Sequence, residues 1–321
     1  MNTYKLIIKS SHHHIIKSIF TFSHLLILTF SNAQYYPQNY FQSPLDTPLY
    51  LSAPFGSLRE NHFHSGMDIR TYEKEGYPVY AVANGFVSRI KVSSVGYGKA
   101  VYIQHPNGFT SVYGHLKKYE GAIADYVKNV QYRNETFEFD NFPGSGTIKI
   151  KKGQIIGWSG NSGGSTGPHL HFEIRDSRTE EPLNPQLFGI RGVDFMDPVI
   201  KKIVVYDLDG NRPLILKKFS VSKKNSTRID SILLYNDTLE IDEGMVGFGV
   251  EAYDYMTDTE HEYSLYGMDL FVDEKEFFSY RLDRIDFENT RCVNVHIDYE
   301  QYKRNDIRYQ KCFLDNGNIY N

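Results

Sequence analysis

With 321 residues, 40% hydrophobic and 23% charged, the chain has the balance of a soluble globular protein of about two domains. Its 25 tyrosines and 21 phenylalanines, with many Val, Ile and Thr, lean toward sheet. The formal net charge is −4; residues 1–33 hold three of the 35 basic residues and no acid, so the rest carries 32 basic against 39 acidic residues, a charge of −7, which argues against nucleic acid as a partner and against a basic membrane patch.

The first 33 residues read as a targeting segment. Lys5, Lys9 and Lys17 precede an apolar run from Ile19 to Phe30, and Ser31-Asn32-Ala33 offers the small residues a signal peptidase reads. The run is too short for a comfortable membrane span. We therefore expect a removed signal peptide, a secreted or periplasmic product and no stable membrane insertion; an uncleaved anchor is the alternative. No cysteine near Ala33 offers a lipid attachment point, and the triplet His12-His13-His14 belongs to this segment rather than to a metal site.

Residues 34–50, with Pro37, Pro44 and Pro48, read as an extended lead-in. The first domain is expected over 51–190. After a loop punctuated by Pro54, Gly56 and Gly66, a short strand is expected at 67–70. Strands at 78–82 and 85–92 flank Ala83-Asn84-Gly85, and strands at 100–105 and 110–116 flank Pro106-Asn107-Gly108; both connections carry a hairpin signal. Ala122, Ile123, Tyr126, Val127 and Val130 repeat at helical spacing, which predicts one amphipathic helix within 121–130. Strands resume at 149–159 and 169–175, and Asn184-Pro185 with Gly189 closes the domain.

A second, β-sandwich-like domain is expected over 195–321. Short strand candidates fall at 200–206, 215–221, 231–234, 239–241, 247–253, 265–272, 277–280 and 293–297, parted by turn residues such as Asp209-Gly210 and Asn236-Asp237. The chain stops soon after a strand-like run, leaving open an incomplete second domain. His261 and His296 stand alone here and read as structural or surface residues. Cys292 and Cys312 are placed so that they could pair in an exported protein, and lie far in sequence from the other histidines.

Chemistry concentrates in three places. A glycine-rich turn runs from Gly160 into His169-Leu-His-Phe-Glu173, where a strand would put His169 and His171 on one face. His64-Ser-Gly-Met-Asp68 offers an imidazole and a carboxylate, with Gly66 between them to let the backbone bend. A catalytic zinc wants three protein ligands and one open position; His64, Asp68 and one histidine of the downstream pair would supply that set. His115 ends the strand that begins at Thr110, and alternation puts it on the face of Ser111 and Tyr113; it reads as a base beside the metal or as a capping residue. Glu173 reads more readily as a structural hydrogen-bond partner than as a group orienting a metal ligand.

His64 and Asp68, Gly114-His115-Leu116 and Ser165-Thr-Gly-Pro-His-Leu-His-Phe-Glu173 resemble the lysostaphin-type zinc peptidases, the LytM-like endopeptidases that cut peptidoglycan cross-bridges. The similarity extends through Ala81 to Val87, Gly96-Tyr97-Gly98 and Lys152 to Gly157, and covers about 51–190 in the family's motif order. It implies a mainly β fold, a compact antiparallel β peptidase domain with one inserted helix, followed here by the sandwich-like domain. It implies one Zn²⁺ per chain held by His64, Asp68 and His171, with His115 and His169 as unliganded catalytic histidines. The implied activity is endopeptidase hydrolysis of peptidoglycan cross-links through a metal-activated water. A non-catalytic activator of another cell-wall hydrolase, and a zinc peptidase acting on extracellular protein, are the alternatives. Residues 117–147 are longer than compact members need, and the lead-in and C-terminal β domain, a possible protein-partner surface, lie outside the match.

Overall fold

The structure, a computed structural model, describes residues 4–8, 36–221, 244–257, 261–315 and 317–318. Apart from 4–8, the expected signal segment lies outside the described residues, as do the expected strands at 231–234 and 239–241. Among the described residues no helix is long and apolar enough to cross a membrane.

Strand β1 is Tyr4–Ile8. The following strands are β2 (Leu51–Ala53), β3 (Met67–Arg70), β4 (Pro78–Tyr80), β5 (Gly85–Val92), β6 (Lys99–Gln104), β7 (Phe109–Gly114) and β8 (Lys118–Tyr119). After helix α1 (Gly121–Asn134) come β9 (Phe139–Asn141), β10 (Lys149–Ile150), β11 (Ile155–Trp158), β12 (His169–Asp176) and β13 (Pro182–Leu183). The fold is mainly β and its sheets are largely antiparallel. A nine-stranded sheet runs β10-β5-β6-β7-β12-β3-β2, with β13 on β12 and β9 on β5, and a three-stranded sheet runs β4-β11-β8.

Strand β12 sits between β7 and β3 and is buried along most of its length. Its period-2 alternation sorts the sequence: Leu170, Phe172 and Ile174 enter the main core with Met67, Ile69 and Tyr113, while His169, His171, Glu173 and Arg175 share the other face. Register does the rest. His171 lies opposite Asp68 on one neighbour and opposite Gly114 on the other, so the sheet itself brings two of the three motifs together.

The inserted helix is present, with Ile123, Val127 and Val130 buried at i, i+4 and i+7. The 106–108 turn joins β6 to β7 as an antiparallel hairpin. The 83–85 signal does not make one: β4 pairs with β11, and β5 pairs with β6, β9 and β10, so the chain changes sheets at that turn. The expected strand at 149–159 is likewise two strands in two sheets, split by Gly153 at a positive φ of 79°. The lead-in has no regular element from 36 to 50, but Phe41, Leu45 and Leu49 are buried in the main core.

The C-terminal part holds β14 (Val199–Asp207), β15 (Leu214–Ser220), β16 (Val246–Tyr253), β17 (Gly267–Val272), β18 (Lys275–Arg281), α2 (Val293–His296), α3 (Tyr299–Asn305) and β19 (Gln310–Lys311). Sheet β15-β14-β16-β19 and sheet β1-β17-β18 contribute Ile203, Val205, Val250, Met268, Leu270 and Phe278 to a second core. The expected strand at 293–297 is helical. A 3₁₀ turn at Thr290–Cys292 runs into α2, which buries Val293 and His296 one turn apart. The Asp298 carboxylate then accepts from the Gln301 amide at 3.0 Å and starts α3. Burial here overrides the strand preference of the valines. Cys292 and Cys312 are both free thiols.

The two cores interlock. Phe55 and Phe63, from the loop before β3, lie in the second core with Leu282 and Ile285, and Met256 and Tyr263 lie in the first. The amides of Leu58 and Phe63 donate to Ser264 Oγ and Thr290 Oγ1 at 2.7 and 3.1 Å.

Candidate metal centre

His64 follows Phe63 on the loop clamped against the second core, Asp68 is on β3 and His171 on β12. Their facing atoms converge: His64 Nε2 lies 3.1 Å from Asp68 Oδ1 and 3.2 Å from His171 Nδ1, and His171 Nδ1 lies 2.8 Å from Asp68 Oδ1. All three residues are buried.

Outer contacts decide which atoms face inward. The His64 Nδ1–H donates to the Pro54 carbonyl at 3.0 Å, leaving Nε2 bare toward the centre. The His171 Nε2–H donates to Glu173 Oε1 at 2.8 Å, leaving Nδ1 toward the centre. Two imidazole lone pairs and a carboxylate oxygen at such separations repel unless a cation lies among them. Zinc bonds of about 2.0–2.1 Å in a tetrahedron set ligand atoms about 3.3–3.4 Å apart, so the donor set and its spacing fit such an ion after a small relaxation. A proton competes for the same place. Burial alone would push His171 down, but hydrogen bonds and charge from Asp68 and Glu173 outweigh it and hold its pKa up to about 9. Asp68 is held well below the usual carboxylate range, the histidines around it outweighing its burial.

His169 and His115 flank this centre. The His169 Nδ1–H donates to the Gly167 carbonyl at 2.8 Å, and its Nε2 is 3.4 Å from Asp68 Oδ1. The His115 Nδ1–H donates to the Ser162 carbonyl at 2.8 Å. The two rings are 4.7 Å apart, and His115 is 5.8 Å from the His171 ring. Burial, with the neighbouring histidines, pushes His115 down to about 4, so it is neutral at pH 7. With a side chain 16% exposed, against 3% for His171 and 9% for His64, His169 marks the open side. His115 departs from the alternation read in the sequence: the strand ends at Gly114, and a φ of 57° turns His115 toward His169 rather than into the core beside Tyr113.

Residues 62–132 and 145–185 match the family described as Peptidase family M23. This part of the chain is a peptidase family M23 domain. DD-carboxypeptidase/endopeptidase Mpg of Neisseria meningitidis serogroup B is 32% identical over 140 residues, 42% of this chain and 26% of that protein. Lysostaphin of Staphylococcus simulans is 33% identical over 126 residues, 37% of this chain and 20% of that protein. The chain thus spans about a quarter or less of the length of these curated relatives. Among solved structures, a mutant catalytic domain of the prophage-encoded M23 protein EnpA from Enterococcus faecalis is 27% identical, covering 46% of this chain and 95% of that one at a TM-score of 0.34.

Around the M23 centre lies a supporting shell in which sequence reasoning weighed only Glu173, favouring a structural hydrogen-bond role over one that orients a ligand. Glu173 is fully buried and accepts from Ser65 Oγ, Tyr97 OH and His171 at Oε1, and from Arg175 Nε at Oε2. It is therefore a direct partner of a candidate ligand. Tyr97 also stacks on His171, with ring centroids 4.7 Å apart. Arg59 donates to Asp68 Oδ2 at 3.3 Å, on the side away from the histidines. Gly66 serves closeness more than bending. A Cβ there would sit 2.5 Å from the Phe172 carbonyl and 2.9 Å from the His171 ring. Gly163, at a φ of 78°, lets the glycine-rich turn seat on the Gly96-Tyr97-Gly98 loop, 2.3 Å from the Gly98 nitrogen to a would-be Cβ. A signal for part of this shell was available, since Glu173 and Arg175 follow His171 at the strand period.

Proposed function

We propose that this M23 domain is a zinc-dependent endopeptidase that hydrolyses peptide cross-links of peptidoglycan, with one Zn²⁺ held by His64, Asp68 and His171. The observation that carries the reading is the convergence of three acceptor atoms within 2.8–3.2 Å of one another, each aimed by an outer hydrogen bond, ion pair or strand register. Bound there, zinc supplies Lewis acidity and brings water deprotonation to about pH 7.

The chain's own residues supply the proton handling. With Nδ1–H committed to backbone carbonyls, His115 and His169 both present Nε2 as a proton acceptor. The one that takes the proton of the attacking water becomes an imidazolium, able to donate to the developing oxyanion or to the leaving amine. The low pKa of His115 keeps it ready to accept at neutral pH. The full donor set supports catalysis over a purely binding role. A cell-envelope location follows from the proposed substrate and agrees with the lysine-flanked apolar segment of residues 1–33.

Zinc-loaded protein incubated with defined cross-linked muropeptides should release products that mass spectrometry assigns to one peptide bond. His115→Ala should keep its zinc and lose about 10²–10⁴ in rate. Wild-type turnover by His115→Ala would remove it from the mechanism, and intact muropeptides with the zinc-loaded protein would end the peptidoglycan reading.

A further inference from the structure

Where the loop before β3 meets the second core, a cavity of about 200 Å³ opens between the two parts of the chain. Ser52, Ser57 and Arg59 line it from β2 and the loop before β3, and Ser264, Arg308 and Gln310 from the C-terminal part. Two guanidiniums thus border one cavity of mixed polar and apolar lining. Arg59 spends one nitrogen on Asp68, and its side chain, 42% exposed, keeps further donors. Arg308 is half-buried and stacks over the Tyr302 ring at 4.6 Å. Among the described residues no carboxylate lies within ion-pair distance of it. Glu262, the carboxylate in the lining, is already held by Lys201 and by Tyr255 OH. Tyr253, His261 and Tyr263, with the small apolar side chains of Ala53 and Ala252, share the lining, while the Ser57 hydroxyl and the Gln310 amide already donate to the Pro54 and Ala252 carbonyls.

A partly desolvated guanidinium without an anion is electrostatically incomplete, and the planar fork of arginine matches a carboxylate in particular. We infer that this cavity is a carboxylate subsite, in which Arg308, with Arg59, takes a carboxylate of the substrate peptide. The occupant sits one arginine side chain from the candidate ligand Asp68. The C-terminal part, outside the M23 match, then contributes a specificity residue. That the ligand is a peptide rests on the proposed function; the preference for a carboxylate rests on the cavity alone.

The test uses an un-cross-linked muropeptide with its carboxylates free, and the same compound with them converted to carboxamides, so that no cross-link is cut. Calorimetry on zinc-loaded full chain should show the carboxylate form binding about tenfold tighter or more. Arg308→Gln should erase that preference while binding the carboxamide form as wild type does, with unchanged zinc content. Arg308→Lys, which keeps charge but not the fork, should fall between. Equal wild-type affinity for the two forms, or a preference that survives Arg308→Gln, overturns the subsite. The wild-type comparison needs no variant to fold. A preference without any hydrolysis of cross-linked muropeptides counts against the peptidase reading and leaves the subsite standing.

Discussion

Replacing Glu173 by Gln tests how far the metal centre depends on its support. The carboxylate is fully buried and faces four donors, from Ser65, Tyr97, His171 and Arg175. A carboxamide has one oxygen to offer, and its NH₂ must confront a donor on the other side. If the oxygen stays on His171, the NH₂ meets Arg175 Nε. If it turns to Arg175, the NH₂ meets His171, and the ring loses the acceptor that keeps its proton on Nε2. Either way Arg175, only 6% exposed, loses its buried counter-charge; Glu180, more than half exposed and 3.7 Å away, is a weak substitute. Breaking a buried pair from one side costs about 3–5 kcal/mol. Loss of an outer partner lowers metal affinity about 10–100-fold, or about 1.4–2.7 kcal/mol. We expect Glu173→Gln to melt well below wild type in calorimetry and to release zinc to a chromophoric chelator about 10–100-fold more readily. A variant that holds zinc with wild-type affinity and melts within about 0.5 kcal/mol of wild type would refute this account of the shell.

Other consequences follow from the same contacts. Phe63, 1% exposed beside His64, should cost about 3–5 kcal/mol as Phe63→Ala, and zinc affinity should fall with it because the ligand loop loses its anchor; unchanged zinc binding would show that the second core does not position His64. In chelated protein His171, raised from 6.5 to about 9, contributes stability that is full below about pH 6.5 and lost as the pH rises through about 9. Glu173 and Asp68, both lowered, contribute stability present above about pH 4.5 and lost on acidification. His115, lowered to about 4, likewise contributes stability that is full above about pH 6.5 and lost on acidification, so the metal-free melting temperature should peak near pH 6.5. Zinc, by displacing the His171 proton, should remove the alkaline fall; a metal-free profile flat from pH 6 to 9 would contradict the charged His171.

What was legible in the sequence was whatever a short spacing carries. His64 with Asp68 and His169 with His171 are local patterns, and strand alternation made the second pair converge. Tyr97, Ser65 and Arg59 reach the site through loop packing, which no local period encodes. Tyr97 was visible only as the middle of Gly96-Tyr97-Gly98, with nothing to say that its ring stacks on His171. His115 was singled out as a candidate, but its direction was misread, because a left-handed backbone ended the alternation one residue early. The turn at 83–85 signalled a reversal correctly and the wrong partner, since turn chemistry does not choose the sheet. The helix at Val293 was hidden by β-branched residues that long-range burial overrode, although Asp298 stood in plain view as a cap for α3.

The central claim is one divalent ion on three side chains, with chemistry at the open vertex. Chelated protein should be given zinc in steps while cleavage of a defined cross-linked muropeptide is followed. Activity should climb to a plateau at one zinc per chain for the wild type and stay absent for His171→Ala. Activity in the chelated protein, or a His171→Ala variant that regains full rate at one equivalent, would contradict the account.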